Sequence, residues 1–172
     1  EGGENGSAKE SFVVKGYFDD VDIALELHPG RVNTLTPKSL ALDPVDIEFF
    51  GKAAHAGAAP EKGINALDAL ILTYNGINAL RQHLTSDVKI HGIILDGGTA
   101  PNTIPDYTRG RFYLRGATRQ KVNEIYKKVE KIAEGAALAT GCTYKMGLFQ
   151  NKVDNIIPNE KLDLVYKETL EE

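Results

Sequence analysis

Apolar and polar positions along this chain recur with periods that name its elements. Val45, Ile47 and Phe49 alternate with Asp46 and Glu48, the pattern of a half-buried strand. Leu67, Leu70, Ile71, Tyr74, Ile77 and Leu80 follow at helical spacing, although Gly76 weakens that helix by roughly 1 kcal/mol. Residues 87–95 read as a strand with Val88, Ile90 and Ile94 on one face and Lys89 and His91 on the other; Asp96-Gly97-Gly98 breaks it. A further strand over 107–115 sends Phe112 and Leu114 one way and Arg111, Tyr113 and Arg115 the other. Thr118 can cap a long helix whose buried stripe is Val122, Ile125, Tyr126, Val129, Ile132, Ala133 and Ala136, and Gly141 ends it. Residues 143–149 make a last strand.

Residues from about 40 to 152 therefore spell β-α-β-β-α-β. Right-handed crossovers put both helices on one face of a four-stranded antiparallel sheet, an α+β ferredoxin-like sandwich. The flanks follow a different pattern. Residues 7–15 suggest a short helix with Ser7 as N-cap and Gly16 as its stop. Residues 21–27 alternate like a strand that delivers His28 to a Pro29-Gly30 turn. Residues 162–170 read as a trailing amphipathic helix. The expected division is 1–36, 37–152 and 153–172, the outer pieces being severed edges of a second domain into which the sandwich is inserted. The first residues, Glu1-Gly2-Gly3, contain no methionine and read as the cut end of a longer chain.

Composition narrows the functions. The 172 residues are 42% hydrophobic with a net charge of −4, which fits a globular fold and disfavours a nucleic-acid surface. No apolar run approaches the ~18 residues of a membrane span. One cysteine, Cys142, excludes an internal disulfide framework and fits the reducing cytoplasm. Arg109-Gly110-Arg111-Phe112-Tyr113 superficially matches an RNA-binding motif, but Arg111 stands where a stacking aromatic belongs.

Among the four histidines, His28 ends the predicted strand where α/β sheets present ligands, and His55 sits in a loop of alanines and glycines that leaves its ring free to reach outward. His83, near a helix end, points to the last carbonyls or to water, and His91 on a polar strand face has no assigned role. The segment 96–105 fixes its backbone with two glycines and two prolines and holds Asn102 between the prolines. Its amide can bond a ligand or stabilise its own turn. Arg115 can clamp a carboxylate or lie solvated at the strand end.

These motifs together resemble the two-metal amidohydrolases and peptidases of carboxypeptidase, aminoacylase and aminobenzoyl-glutamate hydrolase type. Gly51-Lys52-Ala53-Ala54-His55-Ala56 resembles that family's lid histidine motif. Gly97-Gly98-Thr99-Ala100-Pro101-Asn102-Thr103-Ile104-Pro105 resembles its Gly-Gly-…-Asn-x-Ile-Pro motif, with Arg115 at the matching strand end. Glu1-Gly2-Gly3 resembles the tail of a Glu-Glu-Gly run and Leu27-His28-Pro29 a ligand histidine. The four motifs occur in the family's order over essentially the whole chain.

The resemblance implies a cytoplasmic homodimeric enzyme that cleaves N-acyl amino acids or dipeptides with two zinc or manganese ions. It implies Glu1 and His28 as metal ligands, His55 as the group that stabilises the oxyanion in the neighbouring subunit's site, and Asn102 and Arg115 as substrate-binding residues. The general-base glutamate expected before Glu1 and the remaining ligands are not in this sequence. The 172 residues alone are therefore expected to be inactive and to hold no metal stably. The alternative is a stand-alone ferredoxin-like binding or oligomerisation module.

Overall fold

The computed structural model describes residues 8–171, so Glu1 and the Ser7 cap lie outside the described residues. The element order is α1 (Ala8–Val14), β1 (Ala41–Phe50), α2 (Ala66–Arg81), β2 (Lys89–Asp96), β3 (Tyr107–Gly116), α3 (Arg119–Thr140), β4 (Thr143–Leu148) and α4 (Glu160–Glu171). The four strands form one sheet in the order β2-β3-β1-β4, every neighbouring pair antiparallel. With α2 and α3 packed on one face, this is the ferredoxin-like sandwich expected from the pattern.

The core lies between that face and the helices. Val45, Ile47 and Phe49 from β1, and Phe112 and Leu114 from β3, meet Leu70 and Ile77 of α2 and Val122, Ile125 and Val129 of α3. Thr118 caps α3 by accepting a hydrogen bond from the Lys121 amide, and Gly141 ends it at φ 79°. Asn65 caps α2 through bonds to the Leu67 and Asp68 amides. Gly76, a weak point by helix propensity, is a packing device. A Cβ there would stand 2.5 Å from Ile132 Cγ2, so its absence lets α2 and α3 approach. Gly92 and Gly110 serve Phe112 in the same way, since a Cβ on either would come within 2.7 Å of its ring.

Two expectations are corrected. Residues 21–27 form no strand: Ile23, Leu25 and Leu27 are exposed, and no described strand lies beside them to complete backbone pairing. Ile94 shares the helix-side register with Ile90 but is 47% exposed, because the strand bulges between Ile94 and Asp96 at the edge of the sheet. Among the described residues, no helix is long and apolar enough to cross a membrane.

One buried charge interrupts the alternation of β1. Asp43 points to the helix side, 5% exposed, and pairs with Arg119 at the start of α3. The same guanidinium bonds Asp154 and the carbonyls of Leu42 and Val153. Leu42 and Val153 also exchange backbone bonds of 2.8 and 2.9 Å, so the strand leading into the sandwich and the segment leaving it are joined at one point.

Asp87 supplies a pH dependence. Hydrogen bonds from the Lys121 ammonium and the Thr85 hydroxyl hold its carboxyl well below the usual carboxylate range. A depressed folded-state pKa contributes stability that is fully present above the unfolded value of about 3.9 and is lost as pH falls toward the folded one. The Tm gap between wild type and Asp87→Asn should therefore be constant near neutrality and shrink steadily below about pH 4. A gap that persists unchanged to about pH 2 would refute this account of the ion pair.

Candidate functional site

Two loops meet where β1 ends and β3 begins. Beyond β1, Lys52 and Ile64 exchange backbone bonds of 2.8 and 2.9 Å, closing the small-residue loop that carries His55. That loop pairs with the segment before β3: Ala56 N–H donates to Asn102 O, Ile104 N–H donates to Ala54 O, and His55 lies opposite Thr103. His55 and Asn102, far apart in sequence, thus stand on adjacent strands of a short ribbon. The Gly63 position is tight, since a Cβ there would meet Ile104 and Ala54, and this holds the ribbon closed.

The His55 ring is exposed, and its Nδ1 accepts a hydrogen bond from the Gly57 amide at 3.2 Å. In the neutral ring that arrangement places the proton on Nε2 and leaves it available as an outward donor. Asn102 is also exposed, at the tip of a turn closed by Thr103 N–H to Ala100 O. The neighbouring bend is stabilised by Asp96, whose Oδ1 accepts from the Gly98 amide. Beneath the ribbon, Gly97, Thr99, Pro101 and Ile104 line an open depression of about 460 Å³.

Arg115 lies elsewhere. It is close to the far end of β3, so eight steps of ~3.3 Å put it about 26 Å from the strand's first residue and from the loop end of the sheet. His28 lies in exposed coil with Nδ1 2.9 Å from the Pro29 carbonyl, not at a strand end. Glu1 lies outside the described residues, and among those described no three His, Cys, Asp or Glu side chains gather to hold an ion. The described residues by themselves therefore assemble no metal site.

Comparison with known proteins places the sandwich. Residues 43–140, more than half of the chain, match the family profile described as "Peptidase dimerisation domain", of the M20 type. The chain belongs to the M20 peptidase dimerisation-domain family. It is 36% identical over 165 residues to the "Xaa-Arg dipeptidase" of Mus musculus, a match covering 96% of this chain and 38% of that protein. It is 38% identical over 167 residues to one of the subunits of the p-aminobenzoyl-glutamate hydrolase of Escherichia coli, covering 94% of this chain and 34% of that protein. The chain thus spans little more than a third of the curated relatives it matches. A solved aminobenzoyl-glutamate utilization protein from Klebsiella pneumoniae shares its fold at a TM-score of 0.66 and 23% identity, over 75% of this chain and 33% of that one.

In this M20 dimerisation domain the strand at the sheet edge is apolar and open. Ile93, Ile94 and Leu95 of β2 are 58%, 47% and 40% exposed, and Ile71 and Leu72 of α2 are exposed as well. The alternation of the sequence assigned Ile94 to the face of Val88 and Ile90, whereas the bulge leaves it exposed.

Proposed function

We propose that the chain is the dimerising lid, with adjoining segments, of a metal-dependent amidohydrolase that releases an amino acid from an N-acyl amino acid or a dipeptide. The observation that carries this reading is the distance between the candidate residues. His55 and Asn102 share one end of the sheet, and about 26 Å of β3 runs from that end to Arg115 at the other. One substrate of amino-acid size cannot touch all three in one subunit. Two copies related by a two-fold axis perpendicular to the strands, with their β2 edges antiparallel, resolve this, because such an axis brings the loop end of one copy to the Arg115 end of its mate.

In that arrangement His55 Nε2–H of one subunit aims at the oxyanion that develops as water attacks the amide carbonyl, and Asn102 holds the substrate beside it. Arg115 of the other subunit clamps the terminal carboxylate with two hydrogen bonds. Two divalent ions, zinc or manganese, would activate the attacking water, held by Glu1, His28 and residues beyond this chain. The single cysteine, Cys142, is buried, in keeping with a cytoplasmic setting.

Several features support an insertion between residues 37 and 152. Ile156 N–H donates to Ser39 Oγ and Thr36 Oγ1 donates to Asp163, so the incoming and outgoing segments run together. Among the described residues neither α1 nor α4 has a buried one, and Leu27 and Ile157 are each 87% exposed, apolar surface that a larger domain would cover.

The exposed edge of β2 is the pairing surface this reading needs, since a strand edge with free backbone groups adds its symmetry mate as the next strand. Sedimentation of the 172-residue chain at ~100 μM, well above a micromolar Kd, should give a dimer, and Ile93→Lys should shift it to monomer. A strictly monomeric wild-type mass would contradict the proposed edge.

The function is tested on the longer protein loaded with zinc or manganese. It should hydrolyse at least one of a dipeptide, an N-acyl amino acid and aminobenzoyl-glutamate, whereas the 172-residue chain should hydrolyse none. Failure of the longer protein on all three overturns the reading. Turnover by the short chain that disappears with Glu1→Gln plus His28→Ala overturns its expected inactivity.

A further inference from the structure

The face of the sheet turned away from the helices carries charge in two different states. Toward the start of β3 each cation faces a carboxylate, although Arg109 Nε, like that of Arg115, is buried without an acceptor. Arg111 makes two hydrogen bonds to Asp46, at 2.7 and 2.9 Å, and its guanidinium lies 3.8 Å from the Phe149 ring centroid. Arg109 reaches the same carboxylate at 4.0 Å, and the Tyr107 hydroxyl donates to Glu48.

Toward the end of β3 the cations have no such partner among the described residues. Arg115 stands opposite Lys89 of β2, and Tyr113 stands opposite His91. Opposed residues of an antiparallel pair share a face, with Cβ atoms about 5 Å apart. The Arg115 guanidinium rests 5.5 Å from the Tyr113 ring centroid, and its Nε is buried without an acceptor. The His91 ring meets the same tyrosine edge-on at 5.7 Å. Lys89 Nζ bonds the Ser86 carbonyl, which leaves its charge unneutralised. On the other side of β3, Leu42 and Pro44 bring no charge. Two carboxylates adjacent along these strands are engaged elsewhere, Asp43 on the opposite face by Arg119 and Asp87 by Lys121.

We propose that Arg115, Lys89 and His91, with Tyr113 as the floor, form a subsite for an acidic leaving amino acid, so that the preferred substrates are amides of glutamate or aspartate. The proposal rests on the function above, in which Arg115 takes the α-carboxylate; it adds Lys89 and His91 as the residues that take the second one. A monoanion neutralises only part of this cluster. A dianion reaches both strands, and a basic side chain placed there meets only like charge. His91 is suited to the role. Burial, with the charges of Arg115 and of Arg81 at the end of α2, keeps its pKa below the ordinary value. A carboxylate bound beside the ring opposes that shift and favours its protonated form.

The test uses the metal-loaded longer protein and matched substrates ending in glutamate, glutamine and arginine, each in an alanyl and a 4-aminobenzoyl series. The expected kcat/KM is at least about tenfold higher for glutamate than for its neutral isostere glutamine, and lowest for arginine. In Lys89→Gln/His91→Gln the glutamate-to-glutamine ratio should fall toward one, and Lys89→Glu should invert it. An arginine preference in the wild type, or a ratio that survives both variants, overturns the subsite and leaves the hydrolase reading standing. Failure to hydrolyse any member of either series overturns both.

Discussion

Replacing His55 by alanine in the longer, metal-loaded protein is expected to lower kcat by about two to three orders of magnitude, the effect of removing one preorganised oxyanion donor. The ring is exposed, so fold and dimer should survive the change. Gly57 fixes Nδ1 as an acceptor and leaves Nε2–H as the outward donor. His55→Gln keeps an N–H donor of different reach and should recover only part of the loss. The check is steady-state kinetics alongside sedimentation and metal analysis. A loss of metal or of the dimer in step with activity would assign His55 a structural role instead.

The largest stability effect is expected at Arg119. Its side chain is 18% exposed and meets the buried Asp43, and burial, which by itself would depress its pKa, is outweighed by hydrogen bonds to Asp43 and Asp154. Arg119→Ala leaves a buried carboxylate without its counter-charge, at a cost of about 3 kcal/mol or more, and Tm should fall by on the order of 10 °C. Replacing both partners together, as in Asp43→Leu with Arg119→Met, should cost much less, because no unpaired charge then remains. Thermal denaturation of wild type, Arg119→Ala and the double variant distinguishes the outcomes. A double variant as unstable as Arg119→Ala would mean that the bonds to Val153 and Asp154, rather than the charge on Asp43, set the cost.

The sandwich was legible because its signals are local and periodic. Val45, Ile47 and Phe49 reach the core together, and Thr118 and Gly141 bound their helix as capping chemistry predicts. The flank was misread because the alternation over residues 21–27 states only a preference. A strand also needs a neighbour, and among the described residues none pairs there. Gly76 read as a weak point of its helix and Asp43 carried no signal, yet each meets a partner far along the chain, Ile132 and Arg119, which one-dimensional spacing does not reveal.

The candidate site divides in the same way. Each of His55, Asn102 and Arg115 stood out by its local motif, but that the first two share a ribbon and the third lies at the far end follows only from the strand register. Lys89 and His91 carried no motif. Their interest comes from facing Arg115 and Tyr113 across β2 and β3.

The most direct test of the account is a mixed dimer of the longer protein, made from subunits carrying His55→Ala and subunits carrying Arg115→Ala. Each homodimer should be nearly inactive. If His55 of one chain and Arg115 of the other serve one site, every hybrid dimer regains one complete site and about half the wild-type turnover. With subunit exchange verified by mass, a hybrid as inactive as its parents would show that both residues act within one chain, and would contradict the proposed shared site.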